Sequence, residues 1–176
     1  MGAGGNCFLL YFLCKKYIPE TIVETGVSMG YSSQTVLSCI KENSVGHLYS
    51  SDVPYCRIDN PEKYIGCIVE EALKENWTLK TAGDRKNLPE IVQDLQSIDL
   101  FHFDSDKSIS GREFAWNLIQ PLLKPNSTTV FDDITDNLHF KSICNTIPED
   151  TLVVYDDVFG DYVGIIGALA RDYNRS

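Results

Sequence analysis

Short apolar runs rich in β-branched and aromatic residues alternate along the chain with stretches whose apolar positions recur every three or four residues. That alternation is the pattern of parallel strands joined by crossover helices. It predicts strands over 21–24, 47–51, 78–81, 98–103, 128–131, 151–155 and 162–166. Helices are predicted over 6–16, 32–41, 61–75, 88–96 and 110–123, with a less regular pattern over 137–145. Lys124-Pro125-Asn126 closes one helix and Val45-Gly46 precedes a strand. Between the last two strands only residues 156–161 intervene, too few for a helix, so these strands should pair as an antiparallel hairpin on the sheet edge.

The fold expected is α/β, a Rossmann-like doubly wound seven-stranded sheet, mostly parallel with an antiparallel C-terminal hairpin and helices on both faces. A length of 176 residues suits a single domain, 1–176, without repeats or linkers. Hydrophobic residues at 43% and charged residues at 23% are the composition of a soluble globular chain. With 15 Lys plus Arg against 25 Asp plus Glu, a net charge of −10, no nucleic-acid partner is expected, and Lys15-Lys16 and Arg85-Lys86 are too short to track a phosphate backbone. The apolar run 7–14 is far shorter than the ~20 residues of a membrane helix and its positive charges follow it, so neither a membrane span nor a signal peptide is expected. Met1-Gly2 lacks the Ser or Thr that myristoylation wants at position 6, which is Asn6. Six cysteines without a CxxC pair suggest reduced thiols and a cytoplasmic location, not zinc or a redox centre.

Directly after the first predicted strand comes Glu24-Thr25-Gly26-Val27-Ser28-Met29-Gly30-Tyr31-Ser32-Ser33. Gly26 and Gly30 allow the backbone to turn from strand to helix and to approach a ligand closely. The dinucleotide fingerprint would set a pyrophosphate at the helix N-terminus, and Glu24 would repel it. A ligand with an ammonium, a sulfonium and a nucleoside but no phosphate would be attracted instead, which describes S-adenosylmethionine (SAM). The other reading is a tight strand-to-helix turn without a ligand.

Ligands of open α/β sheets bind outside the carboxyl ends of the strands. Here those ends carry Glu24, Asp52, Gly83-Asp84, Asp104 and Asp132-Asp133. Asp52 follows the loop at about the 20-residue spacing of a ribose-binding acid, or else caps the next turn. Asp84 suits an adenine amino group or an ordinary turn. Phe103-Asp104-Ser105-Asp106-Lys107 and Phe131-Asp132-Asp133 would bring three carboxylates into one cleft, where like charges need a counter-ion. Oxygen-only ligands favour a divalent cation such as magnesium over zinc, unless two of the carboxylates cap helices. His102 is read as packed inside its strand, His47 and His139 as surface residues, and Trp77 and Trp116 as helix-packing aromatics.

The segments 22–33, 99–107, 121–126 and 130–134 together resemble the class I SAM-dependent methyltransferases, in particular the metal-dependent O-methyltransferases of the sugar and catechol type. The terminal hairpin agrees with that family and not with dehydrogenases. The resemblance implies that Glu24, Gly26, Gly30, Tyr31 and Ser32 hold the methionine part of SAM. It places Asp52 on the ribose, with Asp84 and Asp104 completing the cofactor site. Asp104, Asp132 and Asp133 would be the ligands of a divalent cation, magnesium by preference. Lys107, three residues after the first of them, or the adjacent Asp106, would be the base for a small hydroxylated acceptor such as a sugar or a catechol-like ring. Relatives wall the acceptor with extra N-terminal helices, so the acceptor side here is expected to be open, completed by a second subunit of a homo-oligomer, or built by residues outside this sequence. The branch also includes hydroxylase-like relatives, and a SAM-binding protein without methyl transfer would keep the same loop.

Overall fold

A computed structural model describes residues 6–54, 59–157 and 160–175, so Met1, Gly2 and Cys56 lie outside the described residues. The chain runs through α1 (Cys7–Tyr17), β1 (Thr21–Thr25), α2 (Tyr31–Asn43), β2 (His47–Ser51), β3 (Trp77–Lys80), α3 (Asp84–Val92) and β4 (Ile98–Phe103). It continues through α4 (Ile109–Ile119), β5 (Leu123–Phe131), α5 (His139–Thr146), β6 (Thr151–Asp156), β7 (Asp161–Gly167) and α6 (Ala168–Asn174). The strands form one sheet of order β3-β2-β1-β4-β5-β7-β6. From β3 to β5 neighbours are parallel, while β7 runs antiparallel to both β5 and β6, which makes the expected hairpin the edge of the sheet.

Strand side chains alternate between faces, and each central strand therefore feeds two cores. Ile22, Leu100, Val130 and Ile165 pack with Leu10 and Leu13 of α1 and Val36, Leu37 and Ile40 of α2. Val23, Phe101, Phe103, Phe131 and Ile166 turn the other way onto Leu88 and Ile91 of α3, Ala115 and Trp116 of α4, and Phe140 of α5. Both layers of helix cover the sheet middle, so the carboxyl ends of β1, β2, β4 and β5 emerge side by side on a rigid base.

Five elements depart from the sequence pattern. The helix expected over 61–75 is two short 3₁₀ segments, Pro61–Lys63 and Glu71–Asn76. Gly66 at φ +66° lies against the Trp77 indole, and the Gly66 and Ile68 N–H groups donate to the Ser28 and Met29 carbonyls at 2.8 and 3.2 Å. Two of this segment's N–H groups are thus given to the glycine loop, and its own bonds close only short three-residue turns such as Tyr64 to Pro61 and Val69 to Gly66. Helix α3 begins at Asp84, not at 88, since Gly83 at φ +86° turns the chain into it, and it ends at Val92. Pro121 halts α4 in a 3₁₀ turn, Gln120–Leu122, which lets β5 start at Leu123 instead of Thr128. Helix α6, seven residues immediately after a strand, was too short to leave a period in the sequence.

Trp77 heads β3 and packs, partly buried, against the core that α1 and α2 cover, and its indole N–H donates to Ser50 Oγ at 2.9 Å. Trp116 packs in the core, from α4. His139 is buried and not on the surface, its ring 5.9 Å from that of Phe131, and burial lowers its pKa. His47 is half-buried, with Nε2 2.9 Å from Thr78 Oγ1.

Candidate active site

The glycine loop is bound to the sheet by its own backbone. Gly26 stands at φ +81°, and a Cβ there would overlap the Asp104 carbonyl oxygen, so β1 and β4 meet here at a distance that only glycine permits. Gly30 at φ +103° opens α2; a Cβ on it would lie 2.8 Å from Val69 Cγ2 and 2.9 Å from Gly66 Cα. Tyr31, the first residue of α2, is 43% exposed beside the loop.

Glu24 lies beneath the loop and not in its mouth, 1% exposed. Its carboxylate accepts the hydroxyls of Ser32 at 2.5 Å, Ser33 at 2.6 Å and Ser50 at 2.8 Å, and His102 Nδ1 lies 3.6 Å away. Ser32 and Ser33 belong to the first turn of α2, so a buried anion faces the positive end of that helix. Burial pushes the Glu24 pKa up, but His102 and the serine hydroxyls outweigh it and hold the group below the usual carboxylate range. His102 is packed as expected, yet it has a charged neighbour the sequence did not show. Burial lowers its pKa, and Glu24, Asp104 and Asp132 more than reverse that.

Asp52 Oδ2 accepts the loop N–H groups of Val27 at 3.0 Å and Ser28 at 2.6 Å, and Oδ1 accepts the Val53 N–H at 2.7 Å. Burial raises its pKa despite these donors. Asp84, at the start of α3, bridges two strand ends: Oδ1 accepts Ser51 Oγ at 2.6 Å and Oδ2 accepts Ser105 Oγ at 2.5 Å. Buried Asn87 ties the same corner, donating to Ser51 Oγ, the Asp52 carbonyl and the Lys80 carbonyl at 3.0, 3.2 and 2.9 Å.

Asp104, Asp132 and Asp133 come together as expected, each with one carboxylate oxygen within 4.8 Å of the others. The ladder extends past the strands to place them: the Asp104 N–H donates to the Thr25 carbonyl and the Asp132 N–H to the Phe103 carbonyl, both at 3.0 Å. Asn6 Nδ2 donates to Asp132 Oδ1 at 2.8 Å from the start of α1. Burial raises the pKa of both Asp132 and Asp133, and the charge of Asp104 adds to the rise at Asp132.

Lys107 Nζ lies 2.5 Å from Asp104 Oδ1, 2.9 Å from Asp133 Oδ2 and 3.8 Å from Asp132 Oδ2. Burial pulls its pKa down, but the three carboxylates hold it above the ordinary lysine value. In this arrangement Lys107 is an ammonium and an internal counter-ion. Asp106 does not face the carboxylates. Its Oδ1 accepts the Ser108 N–H at 3.0 Å, and its side chain lies against Gly111 at the start of α4.

The donor set fits a hard divalent cation, since three carboxylate oxygens converge and one ammonium leaves two of their charges uncancelled. Arg112, which the sequence reading passed over, is buried beneath the two loops that carry them. No local spacing marked it, since two of its three hydrogen bonds are to residues 20 and 21 positions onward.

The sequence and fold match known proteins in a consistent way. The family model described as "Methyltransferase domain" matches residues 23–134, the span from β1 through the carboxylates after β5. No curated protein matches significantly. Among solved structures, the Bacillus cereus O-methyltransferase in complex with SAH superposes with a TM-score of 0.73 at 14% identity, covering 95% of this chain and 82% of that one. The Streptomyces achromogenes O-methyltransferase TomG, involved in tomaymycin synthesis and solved with SAM, gives 0.74 at 13% identity over 95% and 82%. A TDP-rhamnose 3′-O-methyltransferase of calicheamicin biosynthesis gives 0.69 at 16% identity over 92% and 77%. The likeness extends over nearly the whole of this chain, and the matched span contains the glycine loop and all three carboxylates, so this chain belongs to the methyltransferase domain family.

Proposed function

We propose that the chain is a SAM-dependent O-methyltransferase, a single catalytic domain working in the cytoplasm on a small hydroxylated acceptor such as a sugar or a catechol-like ring. The observation that carries this reading is the convergence of Asp104, Asp132 and Asp133 beside a glycine loop that rests on the Asp104 backbone. The structural neighbours solved with SAH or SAM agree with the choice of methyl donor. Free thiols at Cys7, Cys14, Cys39, Cys67 and Cys144 suit the compartment, and among the described residues no helix is long and apolar enough to cross a membrane.

SAM supplies an activated methyl group when bound, and a divalent cation, magnesium by preference, supplies positive charge that orients and acidifies an acceptor hydroxyl. Gly26, Gly30, Tyr31 and Ser32 form the seat of the methionine part, while Glu24 fixes that seat from below and adds negative potential beneath it. Asp52 is the acceptor for ribose hydroxyls, and Asp84 and Asp104 border the nucleoside end. Asp104, Asp132 and Asp133 would hold the cation. Lys107 stands at their centre: as an ammonium it holds the carboxylates together and takes no proton, and only as the neutral amine, which added positive charge among the same oxygens would favour, would its Nζ accept the proton that the acceptor hydroxyl gives up. Asp106, turned to α4, steadies the loop instead.

The test is methyl transfer from labelled SAM to polyhydroxylated acceptors, with magnesium or with EDTA, alongside calorimetry of SAM and NAD. Transfer that stops in EDTA is the expected result; SAM binding without transfer to any acceptor would leave a binding protein, and NAD binding alone would overturn the donor. Lys107→Met should lower turnover about 10²–10³-fold through loss of the proton-transfer group. The same variant should bind Mn²⁺ more tightly, since it removes a positive charge competing for the same oxygens. Unchanged turnover in that variant would remove Lys107 from the chemistry.

A further inference from the structure

We infer that Arg112 is a positioning residue that locks the two carboxylate-bearing loops in one arrangement, an inference that rests on the cation-assisted reading above. Arg112 lies in the first half of α4, 1% exposed. Its Nη2 donates to the Asp132 carbonyl at 3.0 Å and the Asp133 carbonyl at 2.7 Å, and its Nε donates to the Lys107 carbonyl at 3.4 Å. One planar cation thus grips the backbone just beyond β4 and just beyond β5, the two segments that present Asp104, Lys107, Asp132 and Asp133. Its Cζ lies over the Phe103 ring, 5.7 Å from the centroid, a cation–π contact that adds to the hold.

The loop after β5 needs such a hold. Asp133 stands at φ +48°, a left-handed conformation that costs a residue with a side chain, though less for Asp than for most, and that contacts to its carbonyl help to hold. Asn137 Nδ2 adds a second bond to the Lys107 carbonyl at 2.6 Å, but it does not reach residues 132 and 133. Nη2 serves the two adjacent carbonyls while Nε, fixed in the same guanidinium plane, reaches the Lys107 carbonyl on the other loop, a span that the single ammonium of a lysine does not cover. Because the Nε and Nη2 protons of Arg112 go to carbonyls and none to a carboxylate, with Nη1 buried and without a hydrogen-bond partner among the described residues, its charge also stays available to the acidic cluster above it.

The experiment compares the unsubstituted chain with Arg112→Met and Arg112→Lys. Mn²⁺ binding is followed by electron paramagnetic resonance, SAM binding by calorimetry and local opening by amide hydrogen exchange. Arg112→Met should weaken Mn²⁺ binding about 10–100-fold, the size found for residues that orient metal ligands, with Arg112→Lys in between and SAM affinity within about threefold. Exchange should rise in the segments 104–112 and 131–137 together while the strands keep their protection. Mn²⁺ affinity within twofold of the unsubstituted chain in a folded Arg112→Met protein overturns the inference. Should the unsubstituted chain bind no Mn²⁺, the cation reading fails separately, and exchange still decides: a paired rise in both segments supports the hold by Arg112, and unchanged exchange overturns it.

Discussion

Gly26→Ala should abolish measurable SAM binding and lower stability by about 2–5 kcal/mol, the sum of a left-handed backbone forced on a side chain and overpacking against a neighbour that cannot yield. That neighbour is the Asp104 carbonyl oxygen, part of the backbone at the end of β4. Neither partner has a rotamer to change: the Gly26 N–H is bonded to the Ser51 carbonyl at 2.9 Å and the Asp104 N–H to the Thr25 carbonyl at 3.0 Å. Relief requires β1 and β4 to part where the cofactor loop and the first carboxylate meet, so stability and binding fall together. Thermal unfolding should drop by roughly 2–4 °C per kcal/mol for a chain of this size. A variant that melts normally and still binds SAM would show that the close approach is dispensable.

Removing the buried carboxylate of Glu24 should be comparably severe. Glu24→Ala is expected to lose about 3–5 kcal/mol, as breaking a buried pair from one side does, because His102 and three serine hydroxyls are left facing an empty space. Glu24→Gln keeps the shape and should lose less, which separates charge from packing. The sign of the pH dependence follows from the direction of each shift. Glu24 has a depressed pKa in the fold, so its contribution is present above the ordinary carboxylate value near 4.3 and is lost as pH falls through the lower folded value. His102 has a raised pKa, so its contribution is complete below the ordinary histidine value near 6.5 and is lost as pH rises through the folded one. Urea unfolding across this range should therefore show an acid limb in the unsubstituted chain that Glu24→Ala flattens. Identical acid limbs in the two proteins would dismiss the pair as a source of stability.

What the sequence revealed and what it hid divide along the range of the interactions. The strand ends were readable because apolar runs such as 98–103 stop abruptly at an acid, and a parallel sheet gathers those stops on one edge. Asp104, Asp132 and Asp133 needed nothing more to be placed together. The surroundings of Glu24 were not readable, because two of its partners, Ser50 and His102, lie on neighbouring strands and look locally like ordinary strand residues. The segment after Asn60 misled for a similar reason. Its helical period is real, but Gly66 is drawn to Trp77 and to the glycine loop, and tertiary hydrogen bonds override a weak local preference. Arg112 was silent in the sequence, since no spacing rule links a helix residue to carbonyls two elements away.

The hydrogen bonds that carry the ladder beyond β1, β2 and β4 give the acids a fixed pitch, and Arg112 and Asn137 hold the carbonyls of Lys107, Asp132 and Asp133, so a change of length is tolerated only at positions outside these anchors. Lineages descending from such a scaffold can reshape the chamber over the acids by insertion and deletion, and so diversify the molecules admitted, while the ionic centre stays anchored. One added residue inside β4 would have the opposite fate, inverting every side chain after it and scattering the centre in a single step.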